Sequence, residues 1–146
     1  MSRPAFLARL RSMGRDKSRL MLAALVLIHL AVTISHGSAH TAAGVGLGPA
    51  GMAFVFTVII AGPLAGLLWM LMSPRQGAWL IGLTMTGALI FGLVNHFIIA
   101  GADRVDHVAA ASRVWFGSTA ALLVLTEAAG AVMAVACERQ AARRIA

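Results

Sequence analysis

Cysteine and charge are both scarce in this chain, and each scarcity closes off a class of function. The one cysteine, Cys137, builds no disulfide framework and no thiolate metal cage. A thiol of this kind is ordinarily a small buried or interfacial apolar residue. Charged residues make up 12% of the chain and hydrophobic residues 60%, with a mean hydropathy of +0.86. A soluble domain carries about a quarter charged residues, so this composition excludes one. Several catalytic templates are missing as well. There is no Cys-x-x-Cys for quinone-linked thiol chemistry, no His-Glu-x-x-His of a zinc protease and no serine nucleophile elbow. Internal repeats and coiled-coil heptad runs are absent too.

What the chain does have is four apolar runs, over about 19–40, 52–72, 78–100 and 114–136, each of a length to cross a bilayer as an α-helix. Its 146 residues have room for one domain. The expected fold is an all-α integral membrane four-helix bundle. Gly62-Pro63 breaks the second run near its centre, with Gly66 one turn on. Proline there frees a backbone carbonyl, and small residues four apart let helices approach closely.

The net charge of +7 would suit nucleic acid, but its placement argues for a membrane. Six of the twelve basic residues lie in the first nineteen positions, Arg75 sits in the turn after the second run, and Arg139, Arg143 and Arg144 close the chain. Only Arg104 and Arg113 fall on the opposite side. That bias places the N and C termini in the cytoplasm and predicts a multi-pass protein of the inner (plasma) membrane. Residues 1–18 are expected to touch anionic lipid headgroups, through a surface helix or a positive tail. Nucleic acid is not an expected partner. The N-terminus also has the layout of a secretory signal ending at Gly37-Ser38-Ala39, but cleavage there would discard His29 and His36.

The first run carries His29, Thr33, His36 and His40, spaced four, three and four apart, in one helical stripe. Ionisable side chains in a spanning helix ordinarily face a partner or a site. On the expected topology His36, His40 and His96 share one membrane level with Asp103, Asp106 and His107 of the third loop. Imidazole with carboxylate is the ligand set of zinc, copper or iron. The candidate metal ligands are therefore His36, His40, His96 and His107, with Asp103 or Asp106 binding directly or orienting a histidine. Asp103 and His107 share a ligating face if the loop is helical. That pair loosely resembles ligand spacing in membrane subunits of copper monooxygenases, and no role is carried over from it. Haem is a weaker alternative, with His36 or His29 facing His96 as axial ligands.

Deeper in the bilayer lie His29, roughly 16 Å below His40 at about 1.5 Å per residue, and Glu127. Small residues flank Glu127 along its helix face, which points it into the bundle toward His29 or Thr33. His29 and Glu127 are the candidate catalytic, proton-moving pair. The functional expectation is a small inner-membrane metalloprotein with an outward-facing His/Asp site for redox or hydrolytic chemistry. The alternatives are a non-catalytic accessory subunit of a larger membrane complex and a proton-coupled small carrier. A second copy or a partner membrane subunit is expected, since four helices enclose little space alone.

Overall fold

The structure is a computed structural model that describes residues 16–143. Residues 1–15 of the expected N-terminal surface segment and Arg144 lie outside the described residues. Among the described residues every regular element is helical. Four helices are long and apolar enough to cross a membrane: α1 (Lys17–Ala43), α2 (Pro49–Met72), α3 (Pro74–Ile98) and α4 (Ala110–Ala142). A short 3₁₀ turn, Val105–His107, lies between α3 and α4. The helices overrun the apolar runs by several residues, most at α4, whose helical geometry continues to Arg143. Hydropathy marks the hydrocarbon, while a helix continues into the interface, where Arg113 and Glu138 are tolerated at its ends.

The helices are not arranged as a symmetric square. α4 packs along both α1 and α3, and α2 packs along α3. The outer boundary is made of large apolar side chains such as Ile34, Leu68, Leu83 and Val132, the surface expected to face acyl chains. One internal cluster, with Leu22, Val26, Met70, Ile81, Met85 and Cys137, fills the half that holds the chain ends. Cys137 is thus a buried apolar filler.

Glycine sets the closeness of α2 and α3. A Cβ on Gly66 would lie 2.5 Å from Ile81 Cγ1, and one on Gly77 would run into the backbone of Met70. Between these helices the chain turns at Ser73 alone, with Pro74 at the first position of α3, where a missing N–H costs nothing. Trp69 Nε1 donates to Gln76 Oε1 across this turn at 3.1 Å, and Arg75 pairs with Glu138 at 2.8 Å.

Two stretches are wound as π-helix, Val55–Ala61 in α2 and Val94–Ile98 at the end of α3. The first runs directly into Gly62-Pro63. Pro63 has no N–H to return to the preceding turn, and the imidazole of His29 donates to Ile59 O at 3.2 Å. The carbonyl that Pro63 leaves without its helical donor is thereby satisfied from a neighbouring helix.

A candidate metal centre beneath the loops

The end of the bundle opposite the chain ends carries both long connections, and three imidazoles meet there. α1 supplies His36 and His40, one turn apart, and α3 supplies His96. Nε2 of His36 lies 3.1 Å from Nε2 of His40 and 3.1 Å from Nε2 of His96. One nitrogen from each ring falls within 4.8 Å of the others. His36 and His96 are buried, and His40 is half-buried.

Each ring is turned by a different device. α1 ends at Gly44, the one described residue with positive φ (66°), where glycine carries no Cβ penalty. The left-handed step brings Val45 O back to accept from His40 Nδ1 at 3.1 Å. His96 sits in the π-turn that ends α3, and its Nδ1 donates to Asp103 O at 3.1 Å. His36 Nδ1 donates to Thr119 Oγ1 of α4 at 2.9 Å. The Thr119 hydroxyl proton is already committed to its own helix, to Trp115 O or Phe116 O. Phe116, fully buried, closes the floor, its ring centroid 4.7 to 5.4 Å from all three imidazoles.

These partners decide the tautomers. A carbonyl oxygen only accepts, so His40 and His96 carry their protons on Nδ1, and Thr119 asks the same of His36. With Nδ1 so committed, the free ring nitrogen of each is Nε2, and His36 Nε2 lies 3.1 Å from that of each neighbour. Lone pairs 3.1 Å apart repel unless a cation lies between them. Nitrogens on a tetrahedral zinc are about 3.3 Å apart, given a bond length of about 2.0–2.1 Å, close to the two short separations here. Three imidazoles of this chemistry, two of their separations near that spacing, could hold a metal ion.

The Asp103 carboxyl stands beside the rings. Its Oδ1 lies 3.4 Å from His40 Nε2, and its Oδ2 lies 3.4 Å from His96 Nδ1. Both carboxylate oxygens are buried and make no hydrogen bond among the described residues. A buried carboxylate in that state needs a cation or a donor.

His107 and Asp106 are not brought to this cluster. The loop forms only a 3₁₀ turn at Val105–His107, so the helical face that would have joined Asp103 to His107 does not exist. His107, exposed, donates through Nδ1 to Gly101 O at 2.8 Å. Asp106 pairs with Arg104 instead. The Arg104 guanidinium, hydrogen-bonded to it, holds the Asp106 carboxyl at about 2, and Asp106 raises Arg104 in turn.

Deeper, His29 and Glu127 face one another, both essentially unexposed. His29 Nδ1 lies 3.9 Å from Glu127 Oε1, beyond hydrogen-bond range. Because His29 Nε2 donates to Ile59 O, its Nδ1 offers a lone pair when neutral. A proton bound at either group would face the other across 3.9 Å. Neither His29 Nδ1 nor Glu127 Oε2 has a hydrogen-bond partner among the described residues. Among the described residues Thr33 makes no hydrogen bond to Glu127; its hydroxyl donates to His29 O at 2.9 Å.

Axial ligation of haem requires two imidazoles on opposite faces of a macrocycle. His36 and His96, with ring centroids 4.7 Å apart, leave no room for one. Sequence reasoning did not find Thr119, Phe116 or Val45. A threonine one turn from Trp115 gives no periodic signal of its own, and only the packing of α4 against α1 reveals its partner. No family model matches this chain, and no curated protein or solved structure matches it.

Proposed function

We propose that the chain is a small inner-membrane metalloprotein that holds one transition metal ion, zinc, copper or iron, on His36, His40 and His96, with Asp103 as a fourth ligand. The observation that carries this reading is the set of three Nε2 atoms turned inward while every Nδ1 is occupied by an acceptor. Metal-binding histidines are oriented in this way by the bond on the other ring nitrogen. The basic-residue bias puts the chain ends in the cytoplasm and the cluster on the outward side.

A metal held there would act as a Lewis acid or a redox centre, for hydrolytic or redox chemistry. Thr119, Val45 and Asp103 hold the rings in place, Phe116 excludes water from below, and His29 with Glu127 carries a proton inward from the cluster. His36 lies about 10 Å along α1 from His29, at about 1.5 Å per residue. A proton-coupled carrier is the second reading, and the unpartnered His29 Nδ1 and Glu127 Oε2, buried side by side, favour it.

Elemental analysis of protein purified without chelators, beside a His36→Ala/His40→Ala variant, tests the first reading. Near-stoichiometric metal that disappears in the variant is expected. Metal-free protein, with proton movement lost in Glu127→Gln, would move the assignment to the carrier.

A further inference from the structure

The unequal packing of the bundle leaves a cavity. α2 leans on α3, and its first half, Pro49–Ala61, makes little contact with α1. Between them lies a cavity of about 580 Å³, a size ordinary for small-molecule sites. Its wall on one side is the π-helical stretch of α2, with Val55, Phe56, Ile59 and Ile60. π-turns of this kind recur at functional sites. Two of its lining residues, Ile34 of α1 and Phe56 of α2, are 72% and 58% exposed. Both belong to the apolar boundary expected to meet acyl chains, so on that side the cavity wall meets the lipid-facing surface.

The polar side chains of the cavity are few: Thr33, Thr41, Glu127 and the three histidines. Glu127 lines it, 1% exposed, with Oε2 unpaired among the described residues. Thr33 lines it with its hydroxyl proton already given to His29 O. His36, His40 and His96 form part of the upper wall. Among the described residues no lysine or arginine lines the cavity. A phosphate headgroup would find no positive side chain there and would face Glu127 directly. What the cavity offers is acceptors in an apolar setting, and the matching ligand donates a hydrogen bond without bringing a charge.

We infer that this cavity binds an uncharged, hydroxyl-bearing lipophile, an alkylphenol or quinol, which enters between α1 and α2 and donates its hydroxyl to Glu127. The ring lies in the apolar chamber beside Phe91, and the chain leaves through the gap beside Ile34 and Phe56. The site stands on the cavity and the glutamate alone. It goes beyond the metal reading and holds whether or not the histidines carry an ion.

The test uses 4-dodecylphenol with a diazirine in its chain, photocrosslinked to the full chain in phosphatidylcholine nanodiscs. Peptide mapping reads the site, and metal content is measured on the same samples. Expected is labelling concentrated at Ile34 and Phe56–Ile60, removed by excess 4-dodecylphenol and not by dodecyl phosphate. Ile60→Trp, which fills the chamber at a half-buried position, lowers specific labelling about tenfold, the effect of roughly 1.4 kcal/mol of lost binding. Glu127→Leu keeps labelling but abolishes the preference for the phenol over its methyl ether. Labelling spread evenly over exposed faces such as Leu125 and Val132, or competition by dodecyl phosphate equal to that by the phenol, would overturn the inference. Specific labelling in a metal-free preparation would uphold it while removing the metalloprotein assignment. Stoichiometric metal with unspecific labelling would do the reverse.

Discussion

Thr119→Val removes one oxygen from a buried site and little else. The two side chains have nearly the same shape, and Thr119 is 6% exposed, so lipid and solvent see no change. What is lost is the acceptor at 2.9 Å from His36 Nδ1. His36 is itself 6% exposed, so its N–H is left buried and unpaired. Such a group costs about 1–3 kcal/mol, and at about 1.4 kcal/mol per factor of ten this is roughly 5- to 150-fold in an equilibrium constant. Loss of an orienting partner behind a metal-bound histidine costs about 10- to 100-fold in affinity, and the two figures agree. The variant is therefore expected to bind metal about 10- to 100-fold more weakly, read by competition with a chromophoric chelator in detergent. Thr119→Ser, which keeps the acceptor, recovers most of the loss. Affinity within twofold of wild type in Thr119→Val would refute the tautomer reasoning, because His36 would then not need Nδ1 held.

Further outcomes follow from the same geometry. Added zinc at about a hundredfold over its Kd stabilises a folded binder by about 2.7 kcal/mol; a rise of several degrees in the thermal midpoint is expected for wild type and none for His36→Ala/His40→Ala. Gly77→Ala places a methyl against the Met70 backbone and should destabilise by about 1–3 kcal/mol through overpacking; Gly37→Ala, with nothing within 4 Å, should leave the midpoint unchanged, and equal effects would contradict the close α2–α3 packing. Asp106→Asn and His107→Ala should leave metal affinity within about twofold, since neither reaches the cluster, and a large loss would place the loop differently. The Arg104–Asp106 pair, with the carboxyl depressed to about 2 by the guanidinium, contributes fully above the ordinary carboxyl value of 3.8. Its contribution is lost as pH falls through about 2, so acid titration down to pH 4 should not alter Asp106 chemical shifts.

Much of this site was legible before any coordinates. His29, His36 and His40 share a stripe because the helix period puts residues three and four apart on one face, and α1 keeps that period throughout. Alternating apolar runs and turns likewise put His96 at the level of His36, and α4 turned Glu127 inward beside His29. The loop was another matter. The five residues from Gly101 to Val105 choose among turn types by a few local contacts, so Asp103 and His107 were joined by a helical spacing that the chain does not adopt. The exposed side chain of His107 and the Arg104–Asp106 pair are what a charged loop does when it is free to face water. Thr119 and Phe116 were hidden for a different reason. Which face of α4 meets α1 depends on the packing of all four helices, and threonine near a helix start reads as readily for a self-bonded hydroxyl as for a support to a histidine. The role of Pro63 was half visible, since a freed carbonyl was expected but not that His29 would answer it.

X-ray absorption at the edge of whichever metal copurifies is the measurement closest to the central claim. The account predicts a first shell with three imidazole nitrogens at about 2.0–2.1 Å and one carboxylate oxygen, reduced to at most one imidazole in His36→Ala/His40→Ala. A shell with no imidazole scattering, or one unchanged in that variant, would contradict it.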